Sequence, residues 1–175
     1  MFPPETIKSI YEKNVALSDL MIMNINKWEQ MYFGKAPWTD KNVCSLRLEQ
    51  AIVREFANVS LNEMTAKVSN ENLDKIFQSS MKDFNKKFQK GLATGAMVIK
   101  PIGKDKFQCL SQSEFIPIEY DVNGKLVKVI FPEIKKISEQ EYFIRLEYHS
   151  LDFDGLTITN KAFHSFNWFG KRNSP

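Results

Sequence analysis

The stretch "FNKKFQKGLATGAMVIKPI", residues 84–102, decides the fold, because the spacing of its apolar residues changes within it. Before Gly95, the residues Phe84, Phe88 and Leu92 recur every four positions, which indicates an amphipathic helix. After Gly95, the run "MVI" begins a series of short strand-like segments. Glycine is typical of a helix end that needs a positive φ. Helices before this point and antiparallel strands after it predict an α+β fold.

Two helices are predicted in the first 35 residues. Pro4 suits a first helical position and predicts the start of the first helix. Ser18 or Asp19 is a suitable cap for a second helix over 20–33, which Gly34 would end. One apolar stripe of this second helix is predicted to face the core, and its members are Met21, Ile25, Trp28 and Tyr32.

Two more helices are predicted between the second helix and residue 84. Ser45 is the predicted cap of a helix over 46–61. The apolar residues with helical spacing on this segment are Leu48, Ile52, Phe56 and Val59. The next helix is expected to begin near Asn70, and the final one near Ser80. Between the helix over 46–61 and Asn70, the segment "EMTAKVS", residues 63–69, has the composition of a short strand.

Six strands are predicted after Gly95, over 96–101, 106–111, 115–121, 126–134, 141–151 and 156–166. Asn123 and Gly124 stand between two of these runs and predict a hairpin, because both residue types tolerate positive φ. We therefore divide the chain into a mainly helical part over 1–95 and an antiparallel β part of the same domain over 96–168. Residues 169–175 are interpreted as a disordered tail or a truncation point.

Composition is that of an ordinary globular protein, with 43% hydrophobic residues, 26% charged residues and a net charge of +3 in 175 residues. No apolar run is long enough to span a membrane, and the N-terminus lacks the pattern of a signal peptide. Cys44 and Cys109 lie far apart without a CxxC pair, which favours two reduced thiols. These features predict a soluble intracellular protein.

The segment Asp152-Phe153-Asp154-Gly155 raises the possibility of a calcium loop. An EF-hand loop needs glycine at position 6 and a glutamate at position 12. Counted from Asp152, glycine comes at position 4 and Phe163 at position 12. Since strand-like runs flank the segment and Asp and Gly favour tight turns, we interpret it as a hairpin tip.

No combination of residues in the sequence predicts an active site. His149 and His164 have no cysteine or carboxylate at the spacing of a zinc site. Gly91 and Gly95 match neither a P-loop nor a dinucleotide-binding pattern, and no GxSxG is present. The sequence therefore predicts a protein that is not an enzyme and uses no cofactor or metal.

Two features suggest binding instead. Lys82, Lys86 and Lys90 share one face of a predicted helix, which suits either contact with nucleic-acid phosphates or an ordinary solvated face. The chain also has 14 phenylalanines, and several aromatic residues are predicted at exposed positions. The candidates for contact with another subunit are Trp38, Phe143, Phe153 and Phe163. The alternative for these aromatics is core packing on the second face of the sheet.

The order of segments resembles the N-terminal wing region of portal proteins from tailed bacteriophages of the siphophage type. "INKWEQMYFGK" (25–35) resembles the amphipathic helix of that family, with Trp28, Tyr32 and Gly34 at matching places. The segments similar to the following helices and hairpins are "SLRLEQAIVREFANVSLNEM" (45–64), "FNKKFQKGLATGAMVIKPI" (84–102), "SEFIPIEYDVNGKLVKVIF" (113–131) and "YFIRLEYHSLDFDGLTITNKAF" (142–163). Together they cover most of 20–166.

The resemblance implies a structural role at the portal vertex of a virion, after synthesis in the cytoplasm of the bacterial host. Copies of the subunit would form a closed ring through which double-stranded DNA passes during packaging and ejection. Capsid or scaffold proteins and the terminase, a separate ATPase, are the implied partners. Portal subunits are more than twice as long as this chain, so the stem, clip and crown would lie beyond Pro175. We therefore expect an excised wing region or the product of a truncated prophage gene.

Two other functions remain open from the sequence. One is a non-catalytic module of a phage or mobile element that binds DNA or a capsid protein. The other is an enzyme whose site has no recognisable sequence pattern.

Overall fold

The computed structural model describes residues 3–40, 42–81, 83–103, 106–139 and 141–165. Helices come first and antiparallel strands follow, which confirms the predicted α+β fold. The helices are α1 (Pro4–Tyr11), α2 (Asp19–Tyr32), α3 (Leu48–Leu61), α4 (Glu71–Met81) and α5 (Phe84–Thr94). The strands are β1 (Met97–Ile102), β2 (Lys106–Ser111), β3 (Ile116–Tyr120), β4 (Leu126–Lys136), β5 (Tyr142–Asp152) and β6 (Gly155–Ser165). The predicted tail at 169–175 lies outside the described residues.

The ends of α2 and α4 follow the predicted capping residues. Ser18 Oγ accepts a hydrogen bond from the Met21 N–H at 3.2 Å, and Gly34 follows the helix with a φ of 70°. A side chain at Gly34 would also meet the Arg47 side chain, with Nε only 3.0 Å from the added Cβ. Asn70 caps α4, because its Oδ1 accepts from the Leu73 N–H at 3.2 Å.

Two predictions about the middle of the chain are wrong. Helix α3 begins at Leu48, and Ser45 Oγ accepts from the Arg47 N–H instead of capping the helix. Residues 63–69 form no strand. Their backbone groups bond to side chains of α4: Asp74 Oδ1 accepts from the Val68 N–H at 2.9 Å, and Gln78 donates to the Ala66 carbonyl at 2.8 Å.

The chain divides into two compact units, and this division differs from the one predicted at residue 95. Unit 1 comprises 1–22 and 114–175, and unit 2 comprises 23–113. Helix α1 therefore belongs with the four-stranded sheet, whereas the β1–β2 pair belongs with the helices. The change in apolar spacing at residue 95 marks where helices give way to strands. It does not mark the boundary between the units, because each unit contains elements from both sides of residue 95.

Unit 1 contains an antiparallel sheet with the strand order β3-β4-β5-β6. The β3–β4 turn is the hairpin predicted at Asn123 and Gly124, although only Gly124 has a positive φ, at 77°. Asp121 Oδ1 accepts from the Asn123 and Lys125 N–H groups and holds this turn together. The β5–β6 turn is the tip predicted from the two aspartates, since Asp152 and Gly155 are its closing pair.

Helix α1 supplies the hydrophobic cover of the sheet in unit 1. Ile7 is fully buried and joins a core cluster from the strands, whose members are Ile116, Ile118, Ile130, Ile144 and Leu146. Tyr11 donates its hydroxyl hydrogen bond to the Leu146 carbonyl at 3.1 Å. Burial, together with the nearby Tyr148, raises the pKa of Tyr11. The helix is therefore held to the sheet by both apolar packing and a directed hydrogen bond.

Unit 2 is built around α5. Helix α3 packs on α5, and the β1–β2 pair contacts α4 and α5. Gly91 is needed at this contact, because an added Cβ would come within 2.8 Å of the Met97 Cβ. Ala57 is the buried residue of α3, and its small side chain is compatible with a close approach of the two helices.

Candidate contact surfaces

The clearest unexplained surface is an apolar stripe on α3. Its members are Leu48, Ile52, Phe56 and Val59, which follow one another around the same face of the helix. Between 56% and 79% of each side chain is exposed. We call this set the α3 face. Exposed apolar residues that stand together in this way mark surfaces that bind a partner.

Helix α3 also carries exposed charges of both signs. Arg54 and Glu55 form an exposed ion pair on this helix, with 3.6 Å between Nε and Oε1. The helical spacing of the stripe predicts the helix, but it gives no sign that this side of α3 is exposed.

Three of the four predicted contact aromatics are exposed. Trp38 lies in a loop of unit 2, with the Lys27 ammonium 5.6 Å from its ring centroid. Phe153 is fully exposed at the β5–β6 tip. Phe143 is half exposed and stacks on His164 with 4.9 Å between ring centroids. Because Phe143 lies near the start of β5 and Phe153 ten positions further on at the tip, they lie roughly 30 Å apart and form no common patch.

Phe163 was predicted on the solvent face of the sheet, and that placement is wrong. It stands opposite Ile144 in the β5–β6 register, so the two side chains share the core face. Phe163 is partly buried and packs against the core cluster of unit 1. In the isolated subunit it therefore serves as core.

The predicted stripe of Lys82, Lys86 and Lys90 does not form one uniform basic surface. Lys82 lies outside the described residues, and Lys86 is exposed. Lys90 instead forms an ion pair with Glu29 of α2, with 2.9 Å between Nζ and Oε1. Only 18% of the Lys90 side chain is exposed. Its charge is neutralised inside unit 2, which corrects the prediction that it faces nucleic acid.

The Lys90–Glu29 pair belongs to a larger polar network. Ser113 Oγ donates to Glu29 Oε1 at 2.8 Å, and the Ser111 and Ser113 hydroxyls are 3.2 Å apart. The network joins α2, α5 and the end of β2. Close by in sequence, Gln112 is buried, and its Nε2 has no hydrogen-bond partner among the described residues. The arrangement satisfies a partly buried charge pair and links three elements of unit 2.

A second set of charges runs across β4 and β5 in unit 1. The distance from Arg145 Nη2 to Glu133 Oε2 is 2.5 Å, and that from His149 Nε2 to Glu147 Oε1 is 2.6 Å. The ring of His149 also meets Phe131 edge-on, with 5.0 Å between centroids. These contacts give Arg145, Glu147 and His149 partners on neighbouring positions of the same face.

The candidate metal ligands and the two thiols are spread through the described part of the chain. No three His, Cys, Asp or Glu side chains there come together closely enough to hold a metal ion. Cys44 is exposed and Cys109 is partly buried, and burial raises the pKa of the Cys109 thiol. None of the described helices is both long and apolar enough to cross a membrane.

Comparison with known proteins adds no relative. No protein-family model, no curated protein sequence and no solved structure matches this chain.

Proposed function

We propose that this chain is the wing region of a phage portal subunit, a non-catalytic structural protein that binds copies of itself in a closed ring. The ring would form the channel for double-stranded DNA at one vertex of the virion and would contact capsid or scaffold proteins and the terminase. The α3 face is the observation that supports this role most strongly. A subunit of a permanent assembly carries apolar surface that its neighbours cover.

A ring requires contacts between two different surfaces of the subunit, because only a head-to-tail contact repeats around a rotation axis. The α3 face would be one of these two surfaces. Burial of each of its four large side chains would contribute on the order of 1 kcal/mol. Because association itself costs at least about 4 kcal/mol, a stable ring would need further contacts besides the α3 face.

The proposal is tested by placing charges on the α3 face. Ile52→Glu with Phe56→Glu should abolish higher oligomers in light scattering, because each new carboxylate would be buried without a partner. Thermal unfolding should change little, since both side chains are exposed in the subunit. Val122→Glu is the matched control, because Val122 is fully exposed in the β3–β4 turn. Oligomers that persist in the double variant would rule out the α3 face as the ring contact.

A DNA-binding or capsid-binding module of a phage or mobile element is the second candidate. Lys86 favours it, because this lysine is exposed on the helix predicted to carry the basic stripe. Under that function, Lys86→Gln would reduce the salt dependence of DNA binding by about one phosphate contact. A portal wing would show no DNA affinity to lose at moderate salt.

A further inference from the structure

We propose that β6 is a pairing strand, through which two copies of this chain join edge to edge and antiparallel. Among the described strands, β6 has β5 as its neighbour on one side and none on the other. Such an edge carries a row of N–H and C=O groups whose natural partner is another extended backbone. The inference does not depend on the ring, because a β6–β6 pair has two-fold symmetry and a ring contact does not.

The two edges of the four-stranded sheet differ in how well they accept a new strand. Strand β3 has five residues, includes Pro117 and shows two register irregularities in its pairing with β4. Strand β6 has eleven residues, contains no proline and pairs with β5 without an irregularity. Prolines, bulges and short length are the devices that block edge pairing. Pairing between the sheets of two copies must therefore use β6 on both.

The lysine of β6 does not protect the edge in the usual way. Lys161 donates from Nζ to the Ile10 carbonyl at 2.7 Å, and its ammonium lies 4.5 Å from the centroid of the Tyr11 ring. Its charge is thus directed back onto α1 and away from an incoming strand. The nearby His164 forms a hydrogen bond with Glu141, with 2.6 Å between Nε2 and Oε1. An approaching copy meets an edge on which both basic side chains already have partners.

The turn at the tip shows which backbone groups of β6 face outward. Asp152 and Gly155 close a two-residue turn, and such a closing pair is hydrogen-bonded. Pairs then alternate along the ladder, so every second residue of β6 directs its N–H and C=O away from β5. The outward set is Leu156, Ile158, Asn160, Ala162 and His164.

Pairing centred on Asn160 gives a compatible set of neighbours. Asn160 would stand opposite the partner's Asn160, and Ile158 opposite the partner's Ala162. On the other face, Lys161 would stand opposite the partner's Thr159, so no like charges meet. Leu156 and Ile158 are 58% and 49% exposed in the single chain and would gain cover. An edge contact alone buries less than a permanent interface needs, so the dimer should depend on concentration.

Two edge variants and one control test the pairing by sedimentation velocity across a concentration series. Asn160→Pro removes an outward N–H without breaking the β5–β6 ladder, and Ile158→Lys adds a charge to the edge. Both should weaken the dimer at least tenfold, whereas Val122→Lys in the exposed β3–β4 turn should not. Thermal unfolding of each variant verifies that it is folded.

A cross-link tests the register directly. In the proposed pair the two Asn160 Cα atoms would be about 5.5 Å apart, which a disulfide can bridge. Asn160→Cys should therefore form a covalent dimer on mild oxidation, and Thr157→Cys should not, because Thr157 would lie opposite the partner's Phe163. A protein that stays monomeric at all concentrations overturns the inference, as does a dimer that the edge variants leave unchanged. Rings that form without β6 pairing would support the portal role and overturn the β6 inference. Dimers through β6 without rings would do the reverse.

Discussion

At the scale of single residues, sequence spacing identifies which side chains share a helix face but not what lies opposite them. Lys82, Lys86 and Lys90 have the same spacing along the sequence. Of the two that the structure describes, Lys86 is exposed, whereas Lys90 forms an ion pair with the carboxylate of Glu29. Glu29 comes from a helix far away in the sequence. A repeat of one residue type along a helix contains no information about such a partner.

This difference predicts that the same substitution, made one helical turn apart, has unequal effects on the free energy of unfolding. Lys90→Gln should lower the free energy of unfolding by about 2 kcal/mol, because it leaves Glu29 partly buried without its cation. Lys86→Gln should leave it unchanged within about 0.5 kcal/mol, as expected for an exposed side chain. Urea denaturation measures both. Equal effects at the two positions would contradict the role assigned to the Lys90–Glu29 pair.

Asp74 is the residue for which we predict a pH-dependent contribution to stability. Hydrogen bonds from the Val68 N–H and then from Gln78 lower the pKa of its carboxyl group. A lowered pKa in the folded state stabilises the protein above pH 4, near the ordinary pKa of aspartate, and the effect is lost as the pH falls through the folded-state pKa.

The test compares Asp74→Ala with Asp74→Asn. The alanine variant should melt at a lower temperature than the natural protein at pH 7, and this gap should close as the pH falls toward 3. The asparagine variant keeps an acceptor oxygen but does not titrate, so it should lose less stability at pH 7. A gap between natural protein and alanine variant that is constant with pH would show that the charge on Asp74 contributes nothing.

At the scale of elements, local sequence patterns predict whether a segment is a helix or a strand more reliably than they predict which elements it packs against. All six predicted strands are present, because most of the runs are rich in β-branched or aromatic residues. Residues 63–69 have strand-like composition, yet side chains of α4 take their hydrogen bonds. A strand needs a second strand beside it, and the composition of a segment does not specify one.

Helix α3 shows the same limit for the burial of a face. Its large apolar residues have regular helical spacing, but the side that packs on α5 centres on Ala57. The small residue is compatible with a close approach of the helices and leaves the large side chains outside. The sequence therefore predicts the helix correctly, while only the structure reveals the α3 face as a candidate site.

The assignment of α1 to the sheet can be tested through its one fully buried side chain. Ile7→Ala should destabilise the protein by about 2 to 5 kcal/mol, because it leaves a cavity in the core cluster of unit 1. Ile10→Ala should cost less, since Ile10 is only partly buried. Chemical denaturation of both variants provides the comparison. A small effect of Ile7→Ala would mean that α1 is not an integral part of unit 1.

At the scale of the whole molecule, each unit combines elements that the sequence order separates. Unit 1 takes its covering helix from the N-terminus, and unit 2 takes its β hairpin from the region after α5. The two units also contain different candidate contacts, the α3 face in unit 2 and the β6 edge in unit 1. The two proposed contacts differ in symmetry, because the β6 edge would pair with its own copy whereas the α3 face would meet a different surface of its neighbour.

The most direct test of the proposed function is the mass and shape of the gene product that carries this sequence, by light scattering with negative-stain images of the same sample. The portal role predicts closed rings with a mass many times that of one chain. A monomer or a dimer at every concentration, with no ring in the images, would contradict it.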